Sequence, residues 1–161
     1  MEKLQSLLIK YLTENARYTN AQLASMTGAD EATVCAAVKE LEDNGTIIKY
    51  SAIVNADKVE GETVNALIEV KVKPQKLNGF DAFAEELYNF NEVKSLYLMS
   101  GSFDLAIMVS GKNITEVAKF VSEKLGVIDG IVSVATHFIL KKYKVEGQVC
   151  KKQTIERQCI V

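Results

Sequence analysis

Residues 19–50 read TNAQLASMTGADEATVCAAVKELEDNGTIIKY, and the local chemistry of this stretch decides how the chain begins to fold. Thr19 opens a Thr-x-x-Gln pattern that closes at Gln22. The threonine hydroxyl can accept a free first-turn amide while the glutamine side chain reaches back, which is a capping box. Ala21, Leu23 and Ala24 supply small and apolar contacts for a short helix. Gly28 ends it, because glycine enters the left-handed region at little cost. Asp30 is the next N-cap, with Glu31 in the first turn, where a negative charge suits the helix dipole. Val34, Val38 and Leu41 recur at i, i+4 and i+7 and form one apolar stripe. Asn44-Gly45 closes this second helix, Ile47, Ile48 and Tyr50 predict a strand, and Ala52-Ile53-Val54 predict its return as a wing. Leu4, Leu7, Leu8, Tyr11 and Leu12 add a third amphipathic helix at helical spacing. Helices joined by so short a turn predict a winged helix-turn-helix, an element that docks on DNA. The alternative is a small helical domain used only for protein contacts.

The chain has 161 residues, 48% hydrophobic, with a net charge of -2, which fits one or two domains. It has one proline and no low-complexity segment, so a folded chain is expected. No apolar run approaches the roughly 20 residues of a membrane span. The N-terminus, MEKLQSLLIKYL, is charged and amphipathic, unlike a signal peptide. The expected setting is cytoplasmic, with no membrane partner. Cys35, Cys150 and Cys159 are widely spaced, there is no CxxC, and His137 is the only histidine. Reduced thiols and no metal site are expected, a Cys150–Cys159 redox pair being the alternative. His137 lies in an apolar strand and reads as a packing or interface residue. No Ser-His-Asp set, phosphate-binding glycine loop or paired-metal pattern occurs, so neither an enzyme nor a cofactor is expected.

The second half alternates. Thr63 to Lys73 predicts a strand with Val64, Ala66, Ile68, Val70 and Val72 on one face. Leu77 to Phe90 predicts a helix, Val93 to Met99 a strand, Phe103 to Val109 a strand, Ile114 to Leu125 a helix and Ile131 to Tyr143 the last strand. The order βαββαβ is a ferredoxin-like plait. The fold class is therefore α+β: a winged helix-turn-helix at 1–54, a hinge at 55–62, a plait at 63–143 and a tail at 144–161. In the last strand Val132, Val134, Phe138 and Leu140 alternate with Ile131, Ala135 and Ile139, so both faces are largely apolar. Two helices cover only one face of a sheet, and an open antiparallel face is normally wet. The second face is expected to be buried in a homodimer.

These segments together resemble the leucine-responsive/asparagine (Lrp/AsnC) regulators over roughly residues 3 to 143. Asn15-Ala16-Arg17-Tyr18-Thr19 is similar to that family's entry to the second helix, and Thr33-Val34 with Leu41-Glu42 to its recognition helix. Gly45-Thr46-Ile47-Ile48-Lys49-Tyr50 resembles its wing, Ser100-Gly101-Ser102-Phe103-Asp104 its sensing turn, and Gly130-Ile131 with Thr136 its last strand. The resemblance implies a transcription factor that binds double-stranded DNA. It also implies homodimers that assemble further, octamers included, and a small effector, usually an amino acid, held between plaits. By the same resemblance, Arg17, Thr19, Asn20, Ala32, Thr33, Cys35, Ala36, Lys39 and Lys49 would meet DNA. Ser100, Gly101, Ser102, Phe103, Asp104 and Thr136 would meet the effector, with Asp104 on its ammonium. Asp104 as a turn residue bonding backbone is the competing reading.

The chain departs from that family in two places. Arginines usual after the recognition helix's Thr-Val are replaced by Ala36 and Ala37, and only Thr136 remains where two threonines are common, Val134 taking the other place. Residues 1 to 50 carry Lys3, Lys10, Arg17, Lys39 and Lys49 against Glu2, Glu14, Asp30, Glu31, Glu40, Glu42 and Asp43, a sum of -2. Phosphate neutralisation dominates DNA affinity, so a head of this charge needs help from assembly or from a basic tail. Lys141, Lys142, Lys144, Lys151, Lys152 and Arg157 outnumber Glu146 and Glu156 in and just before that tail. The alternative function is an oligomeric small-molecule-binding module with weak or lost DNA binding. Siroheme decarboxylases share the two-domain layout. A tetrapyrrole carboxylate site would need several cations, yet no arginine lies between Tyr18 and Glu156.

Overall fold

The computed structural model describes residues 2–55, 59, 61, 63–73 and 79–150. The chain forms two compact units, Met1–Ile53 and Val54–Val161.

The first unit is three helices: α1 (Glu2–Glu14), α2 (Asn20–Thr27) and α3 (Glu31–Asp43). The capping box forms as its sequence suggests. Gln22 N–H donates to Thr19 Oγ1 at 3.2 Å, and Thr19 N–H donates to Gln22 Oε1 at 2.9 Å. Gly28 takes a left-handed φ of 74° and its N–H reaches Ala24 C=O, which lets the chain turn at once into the Asp30 cap of α3. Leu8, Leu23, Val34, Ala37 and Leu41 close the core, one anchor or more from each helix. Each fully buried leucine contributes on the order of 1.5–3 kcal/mol, which is what holds three short helices that would be marginal alone.

The expected wing is a correction. Among the described residues no strand forms between Asn44 and Asn55. Ile47 N–H donates to Leu41 C=O at 2.8 Å and the side chain packs on the helical core, while Ile48 is exposed. Only Ser51 separates Tyr50 from Ala52, with no Asn-Gly or Gly-x pair to turn a hairpin, and two short strands without a third are marginal.

The second unit contains β1 (Val64–Val72), α4 (Asp81–Tyr88), β2 (Val93–Leu98), β3 (Leu105–Gly111), α5 (Ile114–Lys119) and β4 (Ile131–Phe138). A two-stranded ribbon, β5 (Lys144–Val145) and β6 (Gln148–Val149), follows. The sheet order is β2-β3-β1-β4, antiparallel throughout. This is the expected plait. Phe83 and Leu87 of α4 and Val117 of α5 press on Ala66, Ile68, Val70, Ile107 and Val109.

Four details differ from the sequence pattern, the first being that β4 stops at Phe138 instead of running to Tyr143. Helix α4 begins at Asp81; the start expected at Leu77 lies outside the described residues. Helix α5 does not run uniformly to Leu125 but widens to a π turn at Phe120–Lys124 and tightens to a 3-10 turn at Leu125–Val127. The π turn coincides with the Lys124 ammonium, which sits 2.6 Å from Glu92 and over the Phe90 and Phe120 rings at 5.1 and 5.9 Å. In β4 the alternation slips at a bulge: Val72 faces Ile131, yet Lys71 faces Ser133. Ile131 therefore joins Val134, Thr136 and Phe138 on the helix side, and Val132 is the extra, exposed residue. Gly130 just before it has a φ of 93°, and a Cβ there would lie 2.8 Å from the Phe83 ring.

Beyond the plait the described residues run to Cys150. Its N–H donates to Tyr143 C=O at 2.9 Å, and its C=O accepts from Asn55 Nδ2 at 2.6 Å. The rest of the expected basic tail, Cys159 included, lies outside the described residues.

Candidate functional site

Helix α3 is built to leave one face free. Val34, Ala37 and Leu41 are buried, so at 3.6 residues per turn Ala32, Ala36, Lys39 and Asp43 point away from the core. All four are exposed, and Cys35 is exposed at their flank. Ala36 and Ala37, equal in sequence terms, are thus unequal in place. Ala36 is on the outer face, whereas Ala37 is 9% exposed within the core.

The acidic residues of α3 are mostly turned sideways. The Asp30 carboxylate accepts from Thr33 N–H at 2.9 Å and Thr33 Oγ1 at 2.5 Å, and these bonds hold its pKa below the ordinary value. Glu40 accepts from Gln5 Nε2 of α1 at 2.9 Å. Glu42 accepts from the Tyr50 hydroxyl at 2.9 Å. Desolvation, together with Glu42, pushes the Tyr50 phenol up to about 12. Only Asp43 stands among the outward residues, beside Lys39. Glu31 is exposed in the first turn as well, so the helix stays acidic as a whole, while Ala32 and Ala36 in the middle of its outward face carry no charge.

The other residues expected at DNA surround this face with different freedom. Arg17 is exposed in the α1–α2 connection, where its N–H donates to Asn15 Oδ1 at 3.1 Å. Lys49 is exposed beyond α3. Thr19 and Thr33 are engaged in caps, and Asn20 is half-buried at the start of α2.

In the second unit the turn Ser100–Asp104 joins β2 to β3. Ser100, Gly101 and Ser102 are exposed, and Phe103 and Asp104 are half-buried. Met99 N–H donates to Asp104 C=O at 2.8 Å, and Asp104 N–H donates to Val70 C=O at 3.0 Å. The Asp104 carboxylate accepts Val72 N–H at 2.9 Å, just past the last β1–β3 pair, Val70 with Leu105. Thr136 is not beside this turn. It pairs with Ile68, two residues back along β1 from Val70 and on the far side of that strand from β3, and it faces the helices with Ile68. Within one chain, the effector residues expected from the sequence form one cluster at the turn and one residue apart from it.

The sheet's second face carries Leu67, Ala106, Met108, Tyr97 and Ala135, with Glu69 and His137 among them. His137 Nε2 lies 3.4 Å from Glu69 Oε1. That pair is a feature the strand periodicity alone missed; its signal was one acid and one histidine on facing strands. Among the described residues no group of three His, Cys, Asp or Glu side chains is placed to hold a metal ion. No helix there is long and apolar enough to cross a membrane.

Comparison with known proteins agrees with both units. Residues 65–149 match the family described as Lrp/AsnC ligand binding domain, and residues 1–48 match winged helix-turn-helix DNA-binding. The HTH-type transcriptional regulator YugG of Bacillus subtilis is 43% identical over 155 residues, 96% of this chain and 93% of that protein. The HTH-type transcriptional regulator LrpA of Pyrococcus horikoshii is 31% identical over 144 residues, covering 89% of this chain and 99% of that protein. Among solved structures, the transcriptional regulator NMB0573/L-Met complex from Neisseria meningitidis superposes with a TM-score of 0.70 at 24% identity, covering 90% of this chain and 93% of that one. Escherichia coli AsnC does so with a TM-score of 0.67 at 22% identity, covering 90% and 95%. These likenesses, at such identity, speak to the fold. Together with the sequence matches across both units, they make this chain a member of the Lrp/AsnC family of transcriptional regulators, a family of regulators rather than enzymes.

Proposed function

We propose that this regulator binds specific double-stranded DNA through α3 and senses a small effector, an amino acid, through its plait. In this reading it works as a homodimer that assembles further. The observation that carries the DNA half is the free outer face of α3: Glu40 and Glu42 are tied to Gln5 and Tyr50, away from Ala32, Ala36 and Lys39. Two such helices on a dimer reach successive major grooves about 34–36 Å apart. Few phosphate contacts come from one head, so affinity depends on several heads acting together. Lys151, Lys152 and Arg157 of the tail are candidates for added phosphate contacts. The dimer half rests on the sheet face bearing Leu67, Met108 and Tyr97, which the two helices leave uncovered.

The exposed turn Ser100–Ser102 supports an effector contact through backbone amides and hydroxyls. The Neisseria relative was solved as an L-Met complex, so methionine is the first amino acid to try. The test is a low-salt gel shift of the full chain on its own upstream DNA, run beside light scattering with a panel of amino acids. Specific retardation, together with a mass or affinity change for one ligand, supports the reading. The second reading, a small-molecule-binding oligomer that no longer grips DNA, is favoured by Ala36 and by the -2 balance over residues 1 to 50. Ligand binding without retardation at low salt selects it.

A further inference from the structure

Strand β2 is an edge strand, and its outer side is unpaired among the described residues. Met99 N–H is used on Asp104 C=O, and Ser110 N–H on Glu92 C=O. By the alternation of an antiparallel ladder, the N–H and C=O groups of Leu96 and Leu98 point away from β3. Beside this edge runs a groove of about 360 Å³, walled by Phe80 and by Ala84 and Tyr88 of α4 and floored by Leu96, Leu98 and Leu105. Leu98 is 62% exposed and Tyr88 57%. An open, apolar edge of this kind invites another strand.

The charges at the two ends of the groove identify which strand. The short connection Asn89–Glu92 sets α4 antiparallel to β2, so Tyr88 lies near Val93 and Asp81 lies near Leu98. Asp81 thus marks one end of the groove and Lys94 the other. Lys94 is exposed at a bulge between Val93 and Ser95, its ammonium donating to Asn91 C=O at 2.9 Å.

We propose that β2 pairs antiparallel with β2 of a second copy of this chain about a two-fold axis at Tyr97. Antiparallel pairing brings the end carrying Lys94 to the end carrying the partner's Asp81, and the reverse, so one charge pattern satisfies itself twice. Leu96 meets the partner's Leu98 across the new ladder, and the two apolar grooves close on each other. The contact uses a surface distinct from the open sheet face. It rests on the proposed sheet-face dimer only in that it would join such dimers into tetramers or larger bodies.

Sedimentation of the full chain over a concentration series tests it, with circular dichroism to verify folding. Lys94→Glu sets like charges together at both ends and is expected to halve the assembly mass. Asp81→Lys with Lys94→Glu restores complementarity and is expected to return the mass to that of the wild type. Leu98→Pro removes one outward N–H that β3 does not use, a substitution an edge strand tolerates, and is expected to act like Lys94→Glu. A wild-type dimer that becomes monomer in these variants supports the edge and overturns the sheet-face dimer instead. A mass that is unchanged in Lys94→Glu and Leu98→Pro overturns the edge contact and leaves the sheet-face dimer standing.

Discussion

The carboxylate of Asp104 accepts the backbone N–H of Val72 at 2.9 Å, across from the turn to the end of β1. The bond occupies the place where the β1–β3 ladder has run out and where β1 also shifts register against β4. One side chain thus satisfies a half-buried amide at the junction of three strands. The acid that family resemblance assigns to an effector ammonium already has structural work in the free chain.

Asp104→Ala leaves Val72 N–H without its acceptor, which is expected to cost about 1–3 kcal/mol in urea unfolding. Asp104→Asn keeps an acceptor oxygen and should retain most of that stability. If the same carboxylate also holds the effector's ammonium, Asp104→Asn loses ligand binding while remaining folded, as read by calorimetry with the ligand found in the screen. An Asn variant that binds as well as the wild type restricts Asp104 to the structural part.

Lys124→Met is expected to destabilise the plait at neutral pH. The hydrogen bond from Lys124 is the main reason the Glu92 carboxylate titrates below its ordinary value, and Glu92 Oε2 has no partner of its own. A carboxyl depressed in the folded state contributes stability above its unfolded pKa and loses it as pH falls through the folded one. The gap between wild type and Lys124→Met in unfolding free energy from urea titration should therefore be widest near pH 7, at about 1 kcal/mol for a pair partly screened by solvent, and shrink in acid. A gap independent of pH would mean that Lys124 acts only through its contacts with Phe90 and Phe120.

Tyr50 gives a test in alkali. Its phenol, partly desolvated and bonded to Glu42, is raised from 10.0 to about 12. The neutral form is the one the fold favours, so its contribution is complete below pH 10 and is lost as pH rises toward 12. Tyrosinate absorbance should show one of the six tyrosines titrating late, and Tyr50→Phe should remove that late phase. Identical titration curves for the late phase in both proteins would reject the Tyr50–Glu42 bond in solution.

The plait was legible because its signals are periodic and redundant. Val64 to Val72 alternates without interruption, and Phe83 and Leu87 repeat at helical spacing. Caps were legible because they are local: Thr19 with Gln22 and Asp30 with Thr33 act within one turn. What escaped depends on partners distant in sequence. The slip at Val132 is set by pairing with Lys71 and Val72, and the separation of Thr136 from the turn by its pairing with Ile68. The wing was overread because Ile47 and Ile48 look like a strand wherever they occur. Here Ile47 is drawn into the helical core and its neighbour is left exposed. The acidic composition of α3 likewise does not say where its charges point. Only the places of Gln5 and Tyr50 reveal which way Glu40 and Glu42 are turned.

That distinction sets the last expectation, on the two alanines that stand where arginines are usual in the family. Ala36 is exposed beside Lys39, on the side away from Val34 and Leu41. Ala36→Arg should leave unfolding midpoints nearly unchanged, add a phosphate or guanine contact, and steepen the dependence of log K on log salt by about 0.9. Ala37 is packed among Val34 and Leu41, and Ala37→Arg would bury a cation without a partner. It is expected to lower stability by more than about 2 kcal/mol and to weaken DNA binding through loss of fold. Binding measured at two salt concentrations, next to thermal unfolding of each variant, separates the cases. If Ala36→Arg is folded yet neither tightens binding nor steepens the salt slope, α3 does not enter the groove by its outer face. The DNA contact would then have to be sought around Arg17 and Lys49.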